Sequence, residues 1–408
     1  MHAIFSWEVP KSVEFFVLYV GNSHARFLGY VMNSIARLLC ELIEIPSVNP
    51  DLCKDSPEIT GEGRIAQFLA EKGEAAGLET SRQEVFPGRE NLLVRLPARG
   101  KMERKFILAP HLDTVPVKSP EQLKAVVKEN RIYGRGACDT KGCVATYFHV
   151  LLDLATSGNL PAGTEVLFVG LVDEEFNQMG SRKFAESDEK GDLAIVGEPT
   201  ELEVITAHKG NLWLELSVEG RAAHGAEPQQ GDNAVHTMAK VVDALLTTYA
   251  KELTQRTHSV LGSPTINIGS IRGGTQPNIV PDSCTIQIDR RTIPGETTES
   301  VLAGMEEALV KHGLEKGTFV EMRGVPCPPL ETNPELDYVQ QLLTCTGRTR
   351  TSGVNYFSDA SPISMGGTPA LLFGPGSIDQ AHRDREWINW RQLELAAGML
   401  KCFFERAG

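Results

Sequence analysis

Side chains of the types that bind metal ions follow several short apolar runs that resemble buried strands. The runs cover residues 106–109, 166–172, 193–196 and 370–373, and the side chains that follow them are, in order, His111 and Asp113, Glu174 and Glu175, Glu198, and His382. In open α/β sheets, sites lie beyond the carboxyl ends of the strands. The sequence therefore predicts that these side chains meet at one edge of a sheet.

The chemistry that this set of side chains suits is the binding of zinc. Zinc takes imidazole nitrogen and carboxylate oxygen, and a pair of zinc ions needs about four terminal ligands, a bridging carboxylate and an open position for water. Asp139 lies on a glycine-rich turn at 134–142, which can bring a bridging carboxylate close to the backbone. Asp113 is two residues from His111, so on an extended chain it can orient that imidazole.

The adjacent Glu174 and Glu175 point in different directions and can divide the work of a hydrolytic site. One can bind metal while the other takes a proton from the attacking water and passes it to the leaving amine. Each motif alone has a plainer explanation, because a His-x-Asp after a strand is more often a loop hydrogen bond and a Glu-Glu pair is usually solvated surface. The glycine-rich turn matches neither phosphate-binding pattern. Only the joint arrangement at strand ends favours a metal site.

The elements around these motifs predict an α/β domain with a second domain inserted into it. From residue 32 to about 208, helical patterns alternate with apolar runs, which is typical of a layer built on a mostly parallel sheet. Residues 209–323 instead predict the order β-α-β-β-α-β, which suits a ferredoxin-like α+β sandwich. We therefore predict one domain of 32–208 plus 324–408 and an inserted domain of 209–323.

The first 31 residues differ from the rest and are predicted to be a mis-assigned start or a disordered extension. Their apolar patch at 15–20 is too short to span a bilayer, so we expect no membrane partner, and a weak signal anchor is the alternative. Asn33 or Ser34 offers an N-cap to a helical pattern that starts at Ile35. The first domain is therefore predicted to begin at Met32.

Composition narrows the classes of partner and the compartment. The length of 408 residues with 41% hydrophobic content is enough for two domains. The net charge of −13 arises from 53 acidic and 40 basic residues without a basic stripe, so we expect no nucleic-acid partner. The eight cysteines are dispersed and form no C-x-x-C pair, which favours reduced thiols and a cytoplasmic location.

Four spaced motifs resemble those of the M20 metallopeptidases, and the resemblance covers essentially everything after Met32. The motifs are PHLDTVP at 110–116, GRGACDTKG at 134–142, DEE at 173–175 and GEPT at 197–200. One departure is Pro110, where the family usually has glycine. The resemblance implies a zinc-peptidase-like α/β catalytic domain with an inserted ferredoxin-like dimerisation domain.

The same resemblance implies a role for each residue of the predicted site. Two Zn²⁺ ions, for which Co²⁺ can substitute, would be bridged by Asp139. The terminal ligands would be His111 and Glu198 for one ion and Glu175 and His382 for the other, with Glu174 as the general base.

The inserted domain carries further residues to which the resemblance gives roles. His224, in GRAAHG at 220–225, resembles the histidine that dimeric relatives offer to the neighbouring subunit, where it would stabilise the oxyanion. This implies a homodimer, and the alternative is a histidine that caps a turn. Asn278 and Arg291 look like substrate contacts, and the guanidinium of Arg291 could bind a carboxylate.

Within the family, the segments 353–360 and 373–382 look closest to those of acetylornithine deacetylases. The implied substrate is a small N-acyl amino acid, N2-acetyl-L-ornithine, which would give L-ornithine and acetate in arginine biosynthesis. Succinyl-diaminopimelate desuccinylases usually have threonine where this chain has Phe357, which argues mildly against that alternative. Another M20 carboxypeptidase or aminoacylase is also left open.

Two functions of other classes remain as alternatives. A phosphoryl-transfer enzyme could use the same pair of metals, but the ligand motifs lack a Lys/Arg cluster. A non-catalytic, metal-stabilised binding protein would have no need of Glu174 as a base.

Overall fold

The computed structural model describes residues 33–314 and 318–407. The predictions for the first 31 residues and for a start at Met32 therefore lie outside the described residues.

The helices and strands are numbered in chain order. The helices are α1 (Ser34–Ile43), α2 (Gly63–Ala75), α3 (Lys141–Ser157), α4 (Met179–Ala185), α5 (Ala234–Ala244), α6 (Ala250–Leu253), α7 (Thr298–Lys311), α8 (Asp337–Thr346), α9 (Ala360–Met365) and α10 (Trp390–Arg406). The strands are β1 (Glu79–Phe86), β2 (Arg89–Leu96), β3 (Arg104–Pro110), β4 (Val126–Lys128), β5 (Arg131–Tyr133), β6 (Thr164–Gly170), β7 (Leu193–Gly197), β8 (Ile205–His208), β9 (Gly210–Glu219), β10 (Thr265–Gly273), β11 (Ser283–Thr292), β12 (Thr318–Cys327), β13 (Leu330–Glu331), β14 (Ser352–Val354), β15 (Ala370–Phe373) and β16 (Trp387–Asn389).

The larger sheet has a parallel centre and antiparallel edges. Its order is β1-β2-β6-β3-β7-β15-β8-β13, with β14 beside β8. The neighbouring strands β6, β3, β7 and β15 are parallel, so their carboxyl ends meet at one edge. Helices α1, α2, α3, α8 and α10 supply buried side chains on one face, and α4 and α9 do so on the other. Because both faces are covered, the central strands are continuous apolar runs.

The inserted segment forms a sheet of its own. Its order is β10-β11-β9-β12, with every neighbouring pair antiparallel. Alternate residues of β9, including Leu214 and Leu216, are buried in a core that also contains Met238 of α5 and Met305 of α7. The predicted fold class is therefore confirmed. The domain boundaries stay a prediction, and β12 continues four residues past the predicted boundary at 323.

Local sequence explains where α1 begins. Asn33 lies in an extended conformation, and its side-chain oxygen accepts a hydrogen bond from the backbone N–H of Ala36 at 2.7 Å. This bond satisfies an N–H group that the first turn leaves without a helical partner. Leu39 and Leu42 follow at helical spacing and are fully buried.

The expectation that all eight cysteines are reduced thiols is wrong for two of them. Cys345 on α8 and Cys402 on α10 form a disulfide, with their Cα atoms 5.7 Å apart. The sequence does not indicate this pair, because 57 residues separate the two positions and only the packing of the two helices brings them together. The cytoplasmic location stays a prediction.

The described part of the chain contains no helix that is both long and apolar enough to cross a membrane.

Candidate active site

The carboxyl ends of the central strands bring the predicted ligands together. His111 follows β3, Glu174 and Glu175 follow β6, and Glu198 follows β7. Ligand atoms of His111, Asp139 and Glu175 lie within 4.8 Å of one another, and the same holds for His111, Glu174 and Glu198. Glu174 is therefore as close to His111 as a ligand would be, and proximity alone does not separate the base from the ligands.

Asp139 lies between the two histidines of the cluster. Its Oδ1 is 3.2 Å from His111 Nε2, and its Oδ2 is 3.4 Å from His382 Nε2. His382 Nε2 is also 3.0 Å from Glu175 Oε2. Ligands about 2.0–2.1 Å from a tetrahedral zinc ion are about 3.3 Å from each other. The spacing of these atoms thus fits ions on either side of a bridging Asp139.

The ring of His111 lies against Asp113, the residue that the sequence predicts to orient it. Its Nδ1 is 3.0 Å from the backbone oxygen of Asp113 and 3.4 Å from the Oδ1 atom of the same residue. The backbone oxygen therefore makes the shorter contact. A proton on Nδ1 leaves the lone pair of Nε2 pointing at Asp139, as a metal ligand requires.

The carboxylate of Asp113 also holds the turn that carries the two adjacent glutamates. The backbone N–H groups of Glu174 and Glu175 each donate to it at 3.1 Å. Burial opposes the charge of Asp113, but the hydrogen bond and charge of His111, together with the bonds from Asn49 and the Glu175 N–H, outweigh burial and lower the pKa of Asp113. Asp113 is therefore an anion that ties the end of β3 to the turn after β6.

The electrostatics of the cluster favour a bound cation. Burial, followed by repulsion from Glu198, raises the pKa of Glu174 well above its ordinary value. Burial and repulsion from Asp139 raise the pKa of Glu175 to about 7. Glu175 Oε1 is buried and has no hydrogen-bond partner among the residues that the structure describes. Divalent cations would offset the repulsion between the carboxylates and would bind the unpaired oxygen. The residues present therefore fit a pair of metal ions.

Asn49 is a residue of the site that sequence reasoning missed. Its fully buried side-chain amide donates to Asp113 Oδ2 at 2.7 Å and to Asp173 Oδ1 at 3.2 Å. Asp173 directly precedes Glu174 and has a left-handed backbone, with φ of 69°. One amide thus joins two buried carboxylates across 64 and 124 residues of sequence. Nothing in its local sequence signals this role.

Replacing Asn49 with leucine should lower the free energy of unfolding by about 1–3 kcal/mol, because two buried carboxylates lose a donor and nothing replaces it. Urea denaturation followed by circular dichroism measures this. The control is Asn159→Leu, because Asn159 is exposed and its side chain makes one weak hydrogen bond among the described residues, at 3.5 Å to Glu405. Equal stability of the two variants would contradict the proposed structural role of Asn49.

Glu386 is a second residue that sequence reasoning missed. Its carboxylate accepts hydrogen bonds from the backbone N–H groups of Gly136, Cys138 and Asp139 at 3.0, 2.8 and 2.9 Å. Arg135 Nη1 donates to it at 2.8 Å. The sequence signal that could have found it is its position four residues after His382.

His224, Asn278 and Arg291 lie on the inserted domain. Among the described residues, none of their hydrogen bonds or ion pairs is with the predicted metal ligands. His224 is exposed, and its Nδ1 accepts from the backbone N–H of Ala226 at 3.1 Å. Asn278 is exposed beside it, and its backbone oxygen accepts from Gly225 at 2.8 Å. The histidine and the asparagine therefore lie side by side on the inserted segment.

Arg291 faces the segment that follows β14. Its guanidinium carbon lies 5.2 Å from the centre of the Phe357 ring. Nη2 donates to Asp289 at 3.2 Å, whereas Nη1 is buried and has no hydrogen-bond partner among the residues that the structure describes. The N–H groups of Nη1 are therefore left without an acceptor in this part of the structure.

Comparison with known proteins identifies the family. Residues 206–317 match the peptidase dimerisation domain of the M20 group. An acetylornithine deacetylase from Vibrio campbellii is 31% identical over 354 residues, which cover 83% of this chain and 90% of the relative. The chain belongs to the M20 metallopeptidase family. An acetylornithine deacetylase from Edwardsiella ictaluri is also 31% identical, over 369 residues that cover 87% of this chain and 93% of the relative.

Solved structures of M20 metallopeptidases share the fold. A tripeptidase from Staphylococcus aureus matches with a TM-score of 0.75 at 22% identity, covering 91% of this chain and 97% of that one. A dinuclear metal-binding peptidase of the M20 family from Bacillus subtilis matches with a TM-score of 0.67 at 13% identity, covering 91% and 96%. Membership of the M20 family places the chain among hydrolases that cleave amide bonds.

Proposed function

We propose that the protein is a two-zinc deacylase that hydrolyses N2-acetyl-L-ornithine to L-ornithine and acetate, a reaction of arginine biosynthesis. The observation that carries the proposal is Asp139, whose two oxygens face two different histidines. The relatives named acetylornithine deacetylase support the choice of substrate, since they cover most of the chain at about one third identity.

In this proposal Asp139 would hold both ions. His111 and Glu198 would be the other protein ligands of one ion, and Glu175 and His382 would be those of the second. Bound zinc would lower the pKa of a water molecule and polarise the carbonyl of the substrate amide. Co²⁺ can occupy the same set of ligands.

Glu174 is the proposed general base. Its carboxylate takes a proton from the attacking water as oxygen bonds to the carbonyl carbon, and it gives that proton to the nitrogen when the C–N bond breaks. Burial raises the pKa of Glu174, and a carboxylate with a raised pKa is a stronger proton acceptor, which supports this assignment. Gln178 Nε2 donates to Glu174 Oε1 at 3.3 Å and helps to hold the carboxylate.

His224 is proposed to act in the active site of a partner subunit. Because Nδ1 accepts the Ala226 N–H, the proton of the neutral ring resides on Nε2. An exposed Nε2–H is a donor that can stabilise the oxyanion of the tetrahedral intermediate. The position of His224 within the matched dimerisation domain supports a homodimer.

Co-expressing Glu174→Gln and His224→Ala chains should restore activity that neither variant has alone. Half of the dimers formed at random combine the two chains, and one of their two sites receives both an intact Glu174 and the partner's intact histidine. We therefore expect about a quarter of wild-type activity in the unsorted mixture and about half in the isolated mixed dimers. Tandem affinity tags isolate the mixed dimers for assay. Mixed dimers as inactive as their parents, or an active monomer in light scattering, would contradict action between subunits.

Arg291 is proposed to bind the substrate carboxylate through its unpaired Nη1. The Phe357 ring against its guanidinium limits the room on that side, which favours a small acyl group. Asn278 is a second proposed substrate contact, which its side-by-side position with His224 supports.

The proposed function is tested by assaying the zinc- and cobalt-loaded protein on three amides. These are N2-acetyl-L-ornithine, N-succinyl-L,L-diaminopimelate and a folate-type glutamate amide. We expect the highest kcat/KM for acetylornithine and no turnover of phosphate esters. A higher kcat/KM for either other amide would overturn the substrate, and hydrolysis of phosphate esters alone would overturn the reaction class.

A further inference from the structure

Glu386 makes an unusually complete set of contacts with the loop that carries Asp139. The carboxylate is buried, and each of its two oxygens accepts two hydrogen bonds. Oε1 accepts from the N–H groups of Cys138 and Asp139, and Oε2 accepts from Gly136 and Arg135. These bonds set the path of the backbone directly before the side chain of Asp139.

The same residue anchors the loop that carries His382. Glu386 lies between His382 and β16, and its backbone oxygen accepts from the N–H of Gly134 at 3.2 Å. Immediately beyond, β16 pairs with β5 through Trp387 and Tyr133. Glu386 therefore joins the two loops through its side chain and its backbone at the same point.

The two histidines of the cluster differ in how firmly the fold holds them. His111 is buried, and its neighbour Leu112 donates from its backbone N–H to Leu171 at 2.8 Å. His382 has a side chain that is 58% exposed and a left-handed backbone with φ of 60°. The recorded side-chain contacts of His382 are to Asp139 and Glu175, which are themselves proposed ligands. The position of His382 thus depends on its loop more than that of His111 does.

We infer that Glu386 is a positioning residue that controls occupancy of the ion proposed to lie between Glu175 and His382. The ion at His111 and Glu198 shares Asp139, but its other two ligands directly follow β3 and β7, so it depends on Glu386 less than the ion that also needs the His382 loop. The inference rests on the two-ion site of the proposed function and is independent of the substrate. Partners that orient metal ligands typically contribute about 10–100-fold to metal affinity.

The test compares zinc binding by the full-length protein and its Glu386→Gln variant. Glutamine has one acceptor oxygen, so in either orientation its NH₂ group faces N–H donors of the 136–139 loop. Zinc per chain is measured after dialysis against buffers of graded free Zn²⁺. We expect affinity for one of the two ions to fall by about 10–100-fold and affinity for the other to change by less than about threefold.

The matched control is Glu296→Gln in the inserted domain. Glu296 is also a buried carboxylate, paired with Arg290 and accepting the N–H of Ile293 at 3.0 Å. This control should lose thermal stability and keep both zinc affinities. The Co²⁺ absorption spectra of the proteins, recorded at matched metal loading, show which change comes from altered coordination rather than from lost stability.

Wild-type affinity for both ions in Glu386→Gln would overturn the inference, and so would an equal loss at both ions. If the glutamine variant does not fold, Glu386→Asp takes its place, since it keeps the charge but is one methylene shorter. Unchanged binding of both ions by the aspartate variant would then overturn the inference. A wild-type protein that binds two ions but does not cleave acetylornithine would count against the proposed substrate and leave this result intact.

Discussion

Replacing Glu174 with glutamine should reduce kcat by about 10²–10⁴-fold, which is the typical contribution of a positioned general base. The glutamine amide has nearly the same size, but it cannot take a proton from water. Because Glu174 is proposed not to be a ligand, the variant should retain wild-type zinc content. The assay is hydrolysis of N2-acetyl-L-ornithine, with zinc measured on the same samples.

Glu186→Gln is the control for this substitution. Glu186 follows α4 and pairs with Lys183 on the surface, so its loss should leave kcat unchanged. Turnover by Glu174→Gln at the wild-type rate would contradict the base assignment. Loss of one zinc ion together with activity would instead identify Glu174 as a ligand, an arrangement that its proximity to His111 and Glu198 makes worth testing.

Replacing Asp139 with asparagine should cause the largest loss of metal. A bridging residue needs two anionic oxygens, whereas asparagine offers one neutral oxygen and an NH₂ group that repels cations. Because loss of an orienting partner already costs about 10–100-fold in affinity, loss of the bridge should cost about 100-fold or more. Zinc per chain and acetylornithine hydrolysis should therefore fall together.

Asp192→Asn provides the comparison for the bridging residue. Asp192 lies before β7, at the opposite edge of the sheet, and its carboxylate accepts the Lys105 N–H at 2.8 Å. We expect this variant to keep both ions and its activity. Two zinc ions retained at wild-type affinity in Asp139→Asn would rule out the bridging role.

Short-range patterns were enough to predict the architecture. Buried and more exposed side chains alternate in β9 because only one face of its sheet is covered. The apolar run of β7 is continuous because both faces of its sheet are covered. Asn33 caps α1 because capping is a contact across three residues. The β-α-β-β-α-β order of the inserted domain is likewise a sum of local periodicities, and the observed strand pairing agrees with it.

Contacts that hold the site together could not be predicted in this way. Asn49 meets Asp113 across 64 residues, and Glu386 meets the Asp139 N–H across 247. The disulfide between Cys345 and Cys402 has the same origin in helix packing. A single buried amide or carboxylate has no period and no neighbouring motif, so its partners are known only when the chain has folded.

The sequence by itself determined which side chains follow the central strands, because the apolar runs mark the strands and the polar residues mark their ends. It therefore identified the candidate ligands His111, Glu175, Glu198 and His382, the candidate bridge Asp139 and the pair from which a base is drawn. Only the tertiary structure decided how these groups face one another. The order β6-β3-β7-β15 places His111 opposite Asp139, and the loop that Glu386 anchors brings His382 to the other oxygen. The physical reason is that strand ends are local features, whereas the distance between two ligands depends on the packing of the whole sheet.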